Sequence, residues 1–228
     1  WAFSTGEMVA WWRFEESDRD RVLDASGRGH HGEFRGDAHI AMDTERGPVL
    51  SLDGQGDYLD CGEDPEFGLT TGFTLSAWVM LWKPNQFYDG IITKGDHAWR
   101  LQRVPDISRI CLHATGLRPA ANPYGEVESS TPLHPAKWHH LAGIFDGSRL
   151  TLYVNGRIES MASVPGGALA TSNDPVYVGN NNIPGFNRCW IGKIDDVRIY
   201  RAALGRKEIA ALYAGEGPTP TERPPWAR

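Results

Sequence analysis

Lys137 to Gly156, KWHHLAGIFDGSRLTLYVNG, decides how the rest of the chain is read. The stretch predicts two β-strands joined at Asp146-Gly147-Ser148, with a second tight turn at Asn155-Gly156. Gly and Asn accept a positive φ at little cost, so DG and NG between alternating apolar runs are strong hairpin signals. From Leu150 to Val154, Leu150, Leu152 and Val154 fall on one face and Thr151 and Tyr153 on the other. A strand of this pattern belongs to a sheet packed on one side. His139 and His140 point to opposite faces, so they cannot act as one ligand pair.

Outward from the hairpin, three further stretches join the pattern: FTLSAWV at Phe73 to Val79, GKIDDVRIYRAALGRKEIAALY at Gly192 to Tyr213, and an early D-x-S-G-x-G-x-x-G loop made by Asp24, Ser26, Gly27, Gly29 and Gly32. Together with W-H-H…D-G…Y-V-N-G, they resemble the laminin-G-like, concanavalin A-like domains over about Val9 to Gly215. The resemblance implies an all-β fold, a two-sheet antiparallel jelly-roll sandwich with one short C-terminal helix. That helix is expected to begin at Arg206, with Gly205 as N-cap, Glu208 three residues on, and Leu204 and Ile209 at the spacing of a hydrophobic staple. Residues 1–216 are expected to form the domain. The Pro-rich tail 217–228, GPTPTERPPWAR, reads as a linker tethering it to other domains of a longer chain.

Composition narrows the function classes. A chain of 228 residues suits a single sandwich, and 26 Gly suit a β-protein with many turns. The net charge is −6 and the basic residues are scattered, which argues against nucleic acid as a partner. No apolar run reaches the length of a membrane span. Cys61, Cys111 and Cys189 leave at least one thiol unpaired. Cys111 and Cys189 lie in predicted strands and can pair across the sheets; three buried thiols are the equal alternative.

The strands Trp99–Val104 and Arg109–Thr115 place Arg100, Gln102, Arg109 and His113 outward on one polar surface. Flanking loops add Trp82, Phe87 and Tyr88 on one side, and Asn180 to Asn182 and Arg188 on another. Aromatic rings stack on the C–H faces of sugars, while Asn, Gln, Arg and His hydrogen-bond hydroxyls. Arginine also suits acidic or sulfated sugars through bidentate pairing. The ligand-binding set is therefore Trp82, Tyr88, Arg100, Gln102, Arg109, His113, Asn181 and Arg188. The resemblance further implies a structural Ca2+ held by Asp24 and Asp196, with carbonyls from Gly27 to His31. Asp195, expected on the opposite face from Asp196, is left to cap a turn.

No catalytic residue is assigned. The E-x-D-x-x-E pattern of retaining glycosidases on this architecture is absent from the sequence, as are G-x-S-x-G, a P-loop and H-E-x-x-H. The expected protein is a secreted or cell-surface, non-catalytic carbohydrate-binding module that takes a polysaccharide or glycan. A lyase or glycoside hydrolase using the polar face is the first alternative, and a protein-adhesion module the second.

Overall fold

The structure is a computed structural model and describes residues 7–18, 20–85, 87–105, 108–118, 125–181 and 183–216. The tail 217–228 and Asn182 lie outside the described residues.

The hairpin at the centre of the sequence is at the centre of one layer. Strands Trp138–Phe145 and Arg149–Val154 pair antiparallel from Leu141↔Val154 to Phe145↔Leu150. Asp146 closes their turn by accepting from the backbone N–H of Ser148 and Arg149 through Oδ1, and Gly147 carries φ +90°. At the second turn, Asn155 and Gly156 carry φ +50° and +73°, as the Asn-Gly pair requires.

Six strands form the main run of this layer, in the order Arg157–Ser163, Arg149–Val154, Trp138–Phe145, Phe73–Leu81, Gly192–Tyr200 and Met8–Asp18. The opposing layer runs Glu126–Glu128, Ile110–Ala114, Trp99–Arg103, Asp89–Thr93, Tyr177–Val178, Tyr58–Asp60, Gly32–Arg35 and Arg21–Asp24. Met8–Asp18 also pairs with Arg21–Asp24, across an irregularity between Trp12 and Ser17, and so carries the hydrogen-bonded path from one layer into the other. The remaining strands of this sheet, His39–Asp43 and Gly47–Leu52, form a hairpin that pairs onto Gly192–Ile194.

Alternation accounts for the packing. Phe73, Leu75, Ala77, Val79 and Leu81 point inward with Leu150 and Leu152 of the hairpin, and meet Leu101 and Leu112 from the opposing layer. The layers approach so closely at Gly143 that a Cβ there would overlap the Leu112 side chain. Each such fully buried Leu or Phe contributes about 1.5–3 kcal/mol of transfer free energy.

The outer face of the hairpin layer is covered by the one α-helix among the described residues, Arg206–Tyr213. Its Ile209 and Leu212 pack with Leu204 on Ala142, Ile144, Tyr153 and Tyr200. Gly205 is the N-cap, and its N–H is taken by Glu208 Oε2 at 2.7 Å. Gly215, at φ +76°, follows the last turn.

One placement corrects the sequence reading. Asp195 and Asp196 do not alternate. The register with Phe73–Leu81 slips between Asp195 and Arg198, and Asp196 takes φ +50°. Both carboxylates therefore reach the outer face: Asp195 pairs with Arg46 at 2.6 Å, and Asp196 with Arg198 at 2.9 Å. All three cysteines are separate buried thiols, so no bridge joins Cys111 to Cys189.

Candidate functional site

The site is built on the polar side of the Trp99–Arg103 and Ile110–Ala114 pair. Leu101 faces Leu112 in register and both point into the core, so Arg100, Gln102, Cys111 and His113 take the other face. The turn preceding Trp99–Arg103 adds Asp96. Three groups converge on its Oδ1: Arg188 Nη1 at 2.7 Å, Asn181 Nδ2 at 2.7 Å and Arg100 Nη1 at 3.5 Å. Burial works against ionisation of Asp96, but the Arg100 and Arg188 charges and the donated hydrogen bonds outweigh it and hold the carboxyl below its ordinary value. Its side chain stays 35% exposed, more open than those of Arg100 and Arg188 at 8% and 15%.

From there Arg188 reaches an aromatic rim. Its guanidinium carbon lies 5.4 Å from the Phe186 ring centre and 5.9 Å from that of Tyr88. Phe186 in turn meets Phe87 edge to face at 5.4 Å. Phe87 and Phe186 are 37% and 49% exposed, large apolar surface standing beside buried charge. The Phe87 loop is fixed from beneath. Buried Arg103 donates to the carbonyls of Asn85 and Phe87 at 2.7 and 2.6 Å while its Nε pairs with buried Asp89 at 2.5 Å.

On the other flank His113 Nδ1 lies 3.4 Å from Glu126 Oε2, and Arg109 pairs with Glu128 at 3.2 Å. Both acids come from Glu126–Glu128, a short strand paired with Ile110–Ala114.

The structure thus brings Tyr88, Arg100, Asn181 and Arg188 together around Asp96, with Gln102, His113 and Arg109 in the adjacent rows. Trp82 is exposed at the end of its strand and makes no described ring contact with this group. Arg100 and Gln102 are not on an open surface: they are 6% and 3% exposed. Gln102 spends its Nε2 on Cys111 Sγ at 3.5 Å. Tyr88 lies within electrostatic reach of Arg100, Cys111 and Glu126, and burial followed by Glu126 pushes its hydroxyl pKa up. The Cys111 thiol is pushed up to about 12, first by burial and then by Glu126. The accessible part of the site is therefore Asp96, Arg188, His113 and the aromatic rim, and Arg100 and Gln102 support it from below.

Asp96 and Phe186 escape sequence reasoning. Asp96 stands in Lys94-Gly95-Asp96-His97, which reads as an ordinary turn, and Phe186 in a Pro-Gly loop. A pairing of the Asp96 turn with Arg188 has no local sequence signal.

The expected calcium ligands are already occupied. Asp24 Oδ1 accepts from the N–H of Trp11 and Ser26, and Oδ2 from Ser26 Oγ and the N–H of His30. Four donors fill the lone pairs of one carboxylate. Asp196 is taken by Trp11 Nε1 and Arg198. In the glycine loop the His30 carbonyl accepts from Trp12 Nε1 and that of Gly29 from the His31 N–H. These residues do not fit a bound Ca2+; Asp24 ties the loop to the first strand by hydrogen bonds. Among the described residues, metal-type groupings occur elsewhere, at Asp37, Asp53 and Asp57 and at His30, Asp64 and Glu66.

The two-layer antiparallel sandwich with its docked helix defines a concanavalin A-like class of domain. The chain belongs to the concanavalin A-like lectin/glucanase superfamily, whose sequence profile matches residues 53–210. Among solved structures it is similar to the binding domain of Paraclostridial Mosquitocidal Protein 1 (TM-score 0.73, 15% identity, covering 92% of this chain and 52% of that one). It is also similar to domain 4 of AbnA, an extracellular GH43 arabinanase from Geobacillus stearothermophilus, solved with arabinotriose (TM-score 0.67, 18% identity, 91% and 98%). A third likeness is the receptor-binding domain of a botulinum neurotoxin C/D mosaic serotype (TM-score 0.68, 16% identity, 93% and 52%). At these identities the likeness shows the fold. In sequence, the chain is 25% identical over 154 residues to the Adhesion G-protein coupled receptor V1 of Danio rerio, covering 64% of this chain and 2% of that protein. No helix among the described residues is long and apolar enough to cross a membrane.

Proposed function

We propose that this domain is a non-catalytic glycan-binding module of a secreted or cell-surface protein, tethered to other domains of a longer chain. The observation that carries the reading is the exposed Phe87–Phe186 pair with the Arg188 guanidinium over Phe186, joined through Asp96 to the polar sheet face. Sugar C–H faces stack on the apolar surface that such rings present. Hydroxyls bond to Asp96, Arg188 and His113. The solved domain 4 of an arabinanase with arabinotriose, and the toxin binding domains, support the reading by fold. Tethering multiplies the affinity of a weak single site.

Affinity gel electrophoresis against a polysaccharide panel tests this, with released reducing ends and unsaturated uronates assayed in the same samples. Retardation that is lost in Phe87→Ala and Phe186→Ala, with no product, is the expected result. Product formation would make the domain an enzyme. The likeness to an adhesion receptor favours a protein ligand as the second reading, and absence of retardation by every glycan would support it.

A further inference from the structure

The arginines of the polar face suit anionic sugars only if they are free to pair with them, and in the structure they are not. Arg188 and Arg100 both spend Nη1 on Asp96 Oδ1, and Arg109 is held by Glu128 at 3.2 Å. Three arginines stand against three carboxylates, Asp96, Glu126 and Glu128. Of the groups at the centre, Asp96 is the most open, its side chain 35% exposed, whereas the Arg100 and Arg188 side chains are 8% and 15% exposed.

Behind it, Arg100 Nε and Arg188 Nε are buried donors and Asn181 Oδ1 and Gln102 Oε1 buried acceptors; being sealed, they meet no ligand and serve only to back the carboxylate. Asn181 has its orientation fixed, since its Nδ2 faces a carboxylate oxygen that can only accept. The chain as a whole carries −6, which further repels polyanions.

We infer that the glycan bound at this face is uncharged and that Asp96 selects it, its carboxylate accepting hydrogen bonds from neighbouring sugar hydroxyls and turning away uronates, sulfated sugars and sialosides. The inference rests on the glycan-binding reading above and names the substrate class of that same site. Arg100, Arg188 and Asn181 are positioning residues that hold Asp96 ionised and aimed. Discrimination of this kind is asymmetric. A ligand that lacks the required donors leaves the carboxylate unpaired, and one that brings a negative charge adds repulsion.

The test sets matched probes side by side: arabinan and xylan as neutral polymers, polygalacturonate, a sulfated glycosaminoglycan and sialyllactose as anionic ones. Binding is read by retardation or calorimetry at low and high salt, on the full chain and on Asp96→Asn. The expected result is that at least one neutral probe binds, nearly independently of salt, and no anionic probe does. Asp96→Asn keeps the shape but loses the charge-assisted acceptor, so neutral binding weakens roughly tenfold or more. Salt-sensitive binding of an anionic probe, or neutral binding unchanged in a folded Asp96→Asn, would overturn the inference while leaving the module a glycan binder. Binding of no probe in either class would overturn the glycan reading itself and the inference with it. If Asp96→Asn does not fold, the wild-type preference between the two sets still decides the matter.

Discussion

Replacing Arg103 and Asp89 together should uncouple the stability of the domain from its affinity, whereas replacing Arg103 alone with Met should cost both. Arg103 and Asp89 form an ion pair with both side chains fully buried. Burial pushes the Asp89 carboxyl up while Arg103 pulls it back down, and the carboxyl's Oδ1 has no other partner. Met keeps much of the apolar volume but leaves a sealed carboxylate without its cation, a loss of about 3–5 kcal/mol for a broken buried pair. In a domain of this size that lowers Tm by roughly 6–20 °C. The deficit has a sign in pH. With its folded-state pKa raised above the unfolded value, Asp89 stabilises least where the unfolded chain ionises and the folded one resists, so Arg103→Met recovers stability as pH falls from 7 to 5. Arg103→Met/Asp89→Leu removes both charges and should regain most of the loss, since hydrophobic replacement of a buried pair is often neutral. It cannot regain the hydrogen bonds to the Asn85 and Phe87 carbonyls that fix the rim. The double variant should therefore unfold near the wild-type midpoint in urea yet bind glycan more weakly. A single-variant cost below about 1 kcal/mol, or a double variant no more stable than the single, would refute the argument.

Other expectations follow from the same contacts. Asp195 is pushed up to about 7, chiefly by burial, so its contribution is lost as pH rises from about 4 to 7; His140 is lowered to about 4 by burial, so its contribution is lost as pH falls through the same window. The two slopes oppose each other in the wild type. Asp195→Asn should unmask a stability that rises with pH, and His140→Asn one that falls, in denaturation midpoints taken from pH 4 to 7; parallel slopes in the two variants would contradict this. Gly90→Ala places a methyl group against the Asn180 carbonyl and Asn181 nitrogen, backbone that cannot swing aside. A loss of about 1–3 kcal/mol is expected in urea melts, with weaker glycan binding because Asn181 moves off Asp96. The three buried thiols should ignore a thiol reagent in the native protein, Cys111 above all, and react only once denaturant is added; rapid native labelling would show the interior to be open.

Much of the scaffold is legible because its signals are local. Leu150, Leu152 and Tyr153 fall on the faces that period two assigns, and Gly205 and Glu208 mark the helix start that they spell out. The strands that escape are those without a one-sided apolar pattern. Glu126–Glu128 has one buried residue between two acids, and Arg157–Ser163 is an edge strand polar along most of its length. The site is less legible. Period two places Arg100 and Gln102 on the right face, but what lies across that face comes from residues far along the chain. Asp96 is invisible for the same reason: its meaning lies in Arg188 and Asn181, more than eighty residues away. Asp196 fails differently, because one residue at positive φ resets the alternation on which the reading depends.

The first and last strands carry a mechanical consequence. Met8 lies opposite Tyr200, and the Arg201 N–H bonds to the Glu7 carbonyl at 2.8 Å, so the two strands end together at one corner. Beyond Arg201 the chain turns back into the helix, whose Tyr213 stacks on Trp78 at 5.7 Å, level with Asp195 and away from that corner. Tension applied at Glu7 and Glu216 would therefore have to peel the helix off the outer face before it reached the ladder between Met8–Asp18 and Gly192–Tyr200. The helix acts as a latch that takes load ahead of the sheet.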